Sequence, residues 1–260
     1  MTVQDLIGAL DQLAPRRYAM DWDNQGLLVG DACRPVTKVY LALDASSSAI
    51  ERASAAGCDM MITHHPLIFT PLKSVEASDF TGKRVLMLAQ RNINYFAMHT
   101  NFDTAVMGNI VSRKMHMKTA LPLHITGEEM GRKIGIGTVG TFAGAIRLQD
   151  LAAMVRKEFS LPPVRYYGNP DQEIIWAAVC PGSGKGMARQ ALDKGAQVLI
   201  TGDVDHHYGI DCVEKGLAVI DAGHHGLEHV FVDFMDYWMH KKFPEIVVVK
   251  DPNESPFKTI

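Results

Sequence analysis

The chain has 260 residues, of which 47% are hydrophobic and 21% charged, and a formal net charge of -3. That is an ordinary globular composition, long enough for one large domain or two small ones, and its charge gives no electrostatic case for wrapping nucleic acid. The four cysteines, Cys33, Cys58, Cys180 and Cys212, show no CxxC spacing, no basic flank and apolar core mark a signal peptide, and no apolar stretch approaches the ~20 residues of a membrane span, so the expectation is a cytoplasmic protein with reduced thiols.

Taken in order, Val3, Leu6, Ile7, Leu10 and Leu13 fall at helical spacing between a capping Thr2 and Pro15. The segment MDWDNQGLLVG follows, a polar turn with Trp22 as its aromatic anchor. From Val36 onward strands alternate with helices. VYLALD ends at Asp44, a helix covers about 46–56, and a strand from Asp59 to Thr63 leads into MITHHPLIF with His64 and His65 adjacent. Pro66 stops the strand just past both histidines, at the carboxyl edge where open α/β sheets put their chemistry. Neighbouring strand residues point to opposite faces, so the pair serves one site only if the chain curls or two ions share it. A helix from Gly82, the strand NYFAMH ending in HTNFD (His99 to Asp103) and a helix from about Ala105 close this half. Met107, Met115 and Met117 read as core filler or interface.

A glycine-rich stretch from Leu121 to Thr141 is patterned for short strands, as an insertion or a sheet edge, and residues 148–159 return to helical spacing. The second half then repeats the first. EIIWAAVC leads through PGSGKG into a helix, AQVLITGD echoes the ITHH strand, and LAVIDAGHH again ends a strand in histidine. The expected fold class is α/β, with two related βαβ-type modules whose mixed, largely parallel sheets flank a central metal cleft. The expected boundaries are 1–120 for the first module, 121–147 for a connecting segment and 148–260 for the second, with the two halves either separate or joined in one compact unit.

Three stretches carry imidazole and carboxylate groups at strand ends: His64 with His65, His99 with Asp103, and His224 with His225 and Glu228. His224 and Glu228 are four apart, and if a helix begins at Gly223 that spacing puts both side chains on one face. Nitrogen and oxygen donors of this kind suit zinc, iron, manganese, cobalt or nickel, and five or more exceed what one four-coordinate ion needs, so two divalent metal ions fit better. A lone HxxxE usually means a surface pair, and Asp103 alone could be a helix cap; the case rests on recurrence. PGSGKG, with Gly182, Ser183, Gly184 and Lys185, reads either as a tight turn or as a phosphate-holding loop, and it lacks the P-loop spacing. Asp203, Asp205, His206 and His207 either line the same cleft or cap a helix.

With ITHHPLIF, HTNFD, TGD and DAGHHGLE in that order, and WDNQGLLVG before them, the sequence resembles the NIF-three-like dinuclear-metal family, whose members are often labelled GTP cyclohydrolase 1 type 2 homologues. The resemblance covers nearly the whole chain, in the family's short form. It implies two α/β halves around two metal ions and a toroidal homo-hexamer. It also implies His64, His65, Asp103, His224 and Glu228 as metal ligands and His99 as an accessory group beside them. Many members carry tyrosine where this chain has His225; the spacing to Glu228 favours His224 as the ligand. The implied activity is that of a metal-dependent hydrolase of a nucleotide or similar small polar substrate, with His99 or His225 as proton carrier. The alternative is a non-catalytic metal-binding ring that recruits partners.

Overall fold

A computed structural model describes residues 1–257. The chain divides into two units, one comprising Met1–Ala105 with Phe231–Glu254, the other built on Val106–Val230.

In the first unit the local rules act as expected. Thr2 caps α1 (Val3–Leu13) by accepting from the Asp5 amide while the Asp5 carboxylate accepts from the Thr2 amide, a reciprocal pair that satisfies donors left over at a helix start. The chain continues through β1 (Gly26–Val29), β2 (Lys38–Ala42), α2 (Ser47–Ala55), β3 (Met60–Thr63), α3 (Phe80–Gln90), β4 (Asn94–Ala97) and the single turn α4 (Thr100–Phe102). Ser46 and Asp79 cap α2 and α3 by accepting from amides three residues on. Strands β2, β3 and β4 are parallel neighbours, and β1 runs antiparallel on the outer side of β4. Every residue of β3 and β4 is buried, as a strand covered on both faces must be. One face packs Tyr40, Met61 and Tyr95 against Ala49, Ile50 and Ala53 of α2 and Leu88 of α3.

The second unit starts with α5 (Gly108–Lys114), then β5 (Ala120–Glu129), β6 (Arg132–Arg147), α6 (Leu148–Glu158) and β7 (Arg165–Tyr167). It continues with β8 (Glu173–Ser183), α7 (Ala188–Asp193), β9 (Val198–Gly202), α8 (His206–Glu214), β10 (Ala218–Asp221) and α9 (His224–Glu228). Its six strands lie in the order β5-β6-β8-β9-β10-β7, with β8, β9 and β10 parallel and the outer pairs antiparallel. Both sheets are therefore mixed, with parallel centres. The glycine-rich stretch is the edge hairpin β5-β6 of this sheet.

The observed division differs from boundaries at 120 and 148. After α9 the chain passes through α10 (Val230–Lys242) and returns to the first unit, where β11 (Val247–Lys250) pairs parallel with β2 from Val247↔Lys38 to Lys250↔Leu41. The ring of Phe231 packs on Phe102 at 4.9 Å, and Arg52 holds Asp251 with two hydrogen bonds of 2.9 and 2.6 Å while Tyr40 donates to the same oxygen. A short apolar run such as VVVK carries no information about which β-edge it will extend, so only the tertiary contacts reveal it. Met107 and Met115 are buried core side chains, and among the described residues no helix is long and apolar enough to cross a membrane.

Candidate metal centre

In the first unit β3 ends at Thr63 and the chain turns at once, so the adjacent histidines escape the alternation of a strand. Tyr95, buried beneath the turn, holds it open to one shape: its hydroxyl donates to the His65 carbonyl at 2.9 Å and accepts from the Leu67 amide at 2.9 Å, with Thr63 Oγ1 2.7 Å away. Burial of this hydroxyl pushes its pKa up, which keeps it a neutral donor. The imidazoles of His64, His65 and His99 converge, and each offers one ligand atom within 4.8 Å of the others. Ring centroids lie 5.0 Å apart for His64 and His65 and 5.3 Å for His64 and His99.

What fixes these rings is a shared device. Nδ1 of His64 donates to the Met98 carbonyl at 2.8 Å, Nδ1 of His65 to Asp44 Oδ1 at 2.8 Å, and Nδ1 of His99 to Asp23 Oδ1 at 2.8 Å. A proton held at Nδ1 makes Nε2 the lone-pair nitrogen, the atom a metal takes. Asp23 is itself secured, its second oxygen accepting from the Thr100 amide at 3.0 Å and the Thr100 hydroxyl at 2.5 Å. Burial alone raises the Asp23 pKa, but the bonds and charge of His99 and the bonds from Thr100 outweigh it and hold the carboxyl below its ordinary value. Asp103 Oδ1 lies 3.5 Å from His64 Nε2. It sits not in a turn that caps a later helix but inside one, at the start of a π-type stretch, Asp103–Met107, between α4 and α5. Such stretches are frequent at functional sites because the extra residue re-aims a side chain.

In the second unit α9 begins at Gly223, and the i, i+4 pair falls on one face: His224 Nε2 is 2.8 Å from Glu228 Oε2. His224 Nδ1 donates to Asp203 Oδ2 at 2.7 Å, the same device for the fourth time. Glu228 is 4% exposed, and a buried carboxylate is costly without compensating charge or hydrogen bonds. Gly182, at φ +74°, lies against it so closely that an added Cβ would be 2.2 Å from Glu228 Oε1. Gly202 likewise leaves room for α9, since a Cβ there would be 2.2 Å from the His224 amide nitrogen. His225 turns to another neighbour, its ring 5.4 Å from that of His229.

The remaining candidates separate. The PGSGKG segment is not a loop leading straight into a helix: β8 runs on through Ser183, and α7 starts only at Ala188. Two of its amides are already engaged, Gly184 with Thr201 Oγ1 at 2.7 Å and Gly186 with the Tyr208 hydroxyl at 3.2 Å, and that hydroxyl also accepts from the Ala188 amide of α7 at 3.1 Å. The segment seats Gly182 against Glu228. Lys185 pairs with Asp205 at 2.8 Å, and Asp205 also caps α8 by accepting from the Tyr208 amide at 2.9 Å. Of the TGDVDHH residues, then, Asp203 serves the site and Asp205 serves the helix.

Asp23 and Asp44 had no place in the expected site. Asp44 carried one usable signal, its position at the end of the VYLALD strand; Asp23 lies 76 residues from the histidine it holds, and only the fold brings them together. The donor chemistry fits a first-row divalent ion: imidazole nitrogens with fixed tautomers, carboxylate oxygens facing them, and an outer carboxylate or carbonyl behind each ring.

A family profile described as Duf34/NIF3 (NGG1p interacting factor 3) matches residues 1–254. A Clostridium acetobutylicum protein named GTP cyclohydrolase 1 type 2 homolog is 31% identical over 265 aligned residues, covering 99% of this chain and 98% of its own. A Staphylococcus aureus protein of the same name aligns over 368 positions at 26% identity, so it carries segments this chain lacks. Among solved structures, a hypothetical protein of Staphylococcus aureus superposes with a TM-score of 0.89 at 28% identity, covering 100% of this chain and 99% of that one.

Proposed function

Because the chain belongs to the Duf34/NIF3 family, we propose that it is a cytoplasmic dinuclear metal-binding protein and a hydrolase of a nucleotide or similarly small polar substrate. His64, His65 and Asp103 from the first unit and His224 and Glu228 from the second would hold two divalent ions, zinc, iron, manganese, cobalt or nickel. When bound, such ions would supply Lewis acidity and an activated water near neutral pH. The observation that carries this reading is the fourfold repetition of an imidazole whose Nδ1 is bound to an acceptor and whose Nε2 is left as the donor atom.

The chain's own residues do the rest. Asp23, Asp44, Asp203 and the Met98 carbonyl orient the rings and fix their tautomers. His99, oriented by Asp23, holds a proton at Nδ1 and offers Nε2 to a second proton or to an ion, which makes it a better proton carrier than His225, whose ring is packed on His229. Turnover of a nucleotide panel that includes GTP, by metal-loaded protein, tests the proposal, with His65→Ala and Glu228→Ala as controls. Activity that is lost in both variants supports it; equal activity in wild type and both variants contradicts it.

A second reading is a non-catalytic metal-binding ring, a homo-hexamer that recruits partners; the interaction named in the family's description favours it. Light scattering before and after chelation, on protein that turns over none of the panel, would support this reading if the assembly falls apart with the loss of metal.

A further inference from the structure

Two aromatic side chains of the first unit stand on His99 with much of their surface in water. Trp22 is 62% exposed and Phe69 is 53% exposed. Each ring centroid lies 5.8 Å from that of His99, with interplanar angles of 72° for Trp22 and 87° for Phe69. Neither segment is a loose loop. Next to Trp22, Asp23 holds His99 and Thr100, and the Met20 amide donates to Thr100 Oγ1 at 2.9 Å. Asn24 then reaches the residue before Phe69, donating from Nδ2 to the Ile68 carbonyl at 2.6 Å. Three consecutive residues, 22–24, thus place one exposed ring, lock the histidine and tie down the segment bearing the other ring.

Exposed tryptophan and phenylalanine surface is unfavourable in water, and a scaffold that fixes both rings beside one imidazole has a use for their faces. Taking the donor reading of His64, His65 and His99 as its basis, we infer that Trp22 and Phe69 form a stacking platform for the planar heteroaromatic ring of a ligand, a purine base in particular. A planar heterocycle is the ligand class that meets both halves of this arrangement: its π faces stack on the aromatic rings, and its in-plane nitrogens and oxygens address the imidazole group and the indole N–H. The platform selects for the ring, and the metal donors select for what is attached to it.

Binding separates the two roles. Guanosine, adenosine and the base-free ribose 5-phosphate are titrated into metal-loaded and metal-stripped protein by equilibrium dialysis and tryptophan fluorescence. Trp22→Ala, Phe69→Ala and Trp22→Tyr are compared with wild type, with metal content and melting temperature recorded for each. The nucleosides should quench fluorescence saturably in wild type, and their affinity should fall about tenfold in both alanine variants and recover in Trp22→Tyr, while metal content stays unchanged. Nucleosides that bind wild type no better than ribose 5-phosphate, or that bind both alanine variants as tightly as wild type, overturn the platform; tetramethylammonium binding in place of the nucleosides does so as well. Wild-type protein that takes up no metal yet binds nucleosides through Trp22 would instead overturn the donor reading and leave the platform standing.

Discussion

The two units solve one problem in two ways. In each, an antiparallel edge strand precedes a βαβαβ run and then borders its last strand: β1 beside β4 in the first, β7 beside β10 in the second. Thr63 and Thr201 occupy matching rungs, opposite Ala97 and Asp221. Each threonine hydroxyl also braces its site loop, Thr63 donating to the His65 carbonyl and Thr201 accepting from the Gly184 amide. Past that rung they diverge. The first unit places His64 and His65 directly at the strand end and brings carboxylates to them from neighbouring segments. The second places Gly202 and Asp203 there, so that a short helix can seat on the strand and present His224 above the carboxylate. Imidazole groups can thus move from strand to helix while the scaffold, and the acceptor bound to each Nδ1, stay constant.

The most consequential way to break this comparison is to remove the outer carboxylate in each unit. Asp23 has a side chain with 0% exposure, whereas Asp203 is 54% exposed and sits at φ +57°, in the left-handed region that glycine enters most readily. Asp23→Ala is expected to cost about 3 kcal/mol of stability, because it strands His99 and the Thr100 amide, and to weaken metal binding about 10- to 100-fold. Asp203→Gly should weaken metal binding about tenfold with no loss of stability, since relief of backbone strain offsets the lost bond. Urea melts and metal titrations on the two variants check both halves of that contrast.

A smaller effect sharpens the difference in how the sheets are finished. The first unit's outer parallel strand comes from the far end of the chain and is locked by Asp251 to Arg52 and Tyr40. Asp251→Ala should cost about 1–3 kcal/mol, and hydrogen exchange should accelerate in β11 and β2 before it does in β8 to β10. If exchange rises equally in both sheets, the units do not unfold separately.

Legibility in the sequence followed distance along the chain. The Thr2 cap and the i, i+4 placement of His224 and Glu228 on one helix face are both local, and each forms where its spacing predicts. The Asp23 to His99 bond and the pairing of β11 with β2 join segments 76 and about 209 residues apart, and no short-range pattern encodes them. PGSGKG is ambiguous in the sequence for a different reason: a tight turn and a phosphate loop both need glycine at the same places.

Smaller still is a pH effect at the start of β3. Asp59 is shifted up by partial burial, but hydrogen bonds from the Thr37 hydroxyl and from the Thr37 and Lys38 amides prevail and hold its pKa below the ordinary carboxylate value. A carboxyl whose folded-state pKa is depressed stabilises the fold above its unfolded-state pKa, and that contribution is lost as pH falls through the folded-state value. Asp59→Asn should therefore lower the melting temperature at pH 7, and the gap from wild type should close as the pH is taken below about 4. The smallest effect is expected at Lys185, whose exposed pairing with Asp205 should leave melting temperature and metal content unchanged in Lys185→Ala.

The strand-borne donors of the first unit and the helix-borne donors of the second are proposed to hold two metal ions. Elemental analysis of purified wild-type protein beside His65→Ala and Glu228→Ala tests it most directly. The account predicts two first-row ions per wild-type chain and a reduced content in each variant, one lesion in each unit. Wild-type protein without first-row metal, or a full complement retained in both variants, would contradict it.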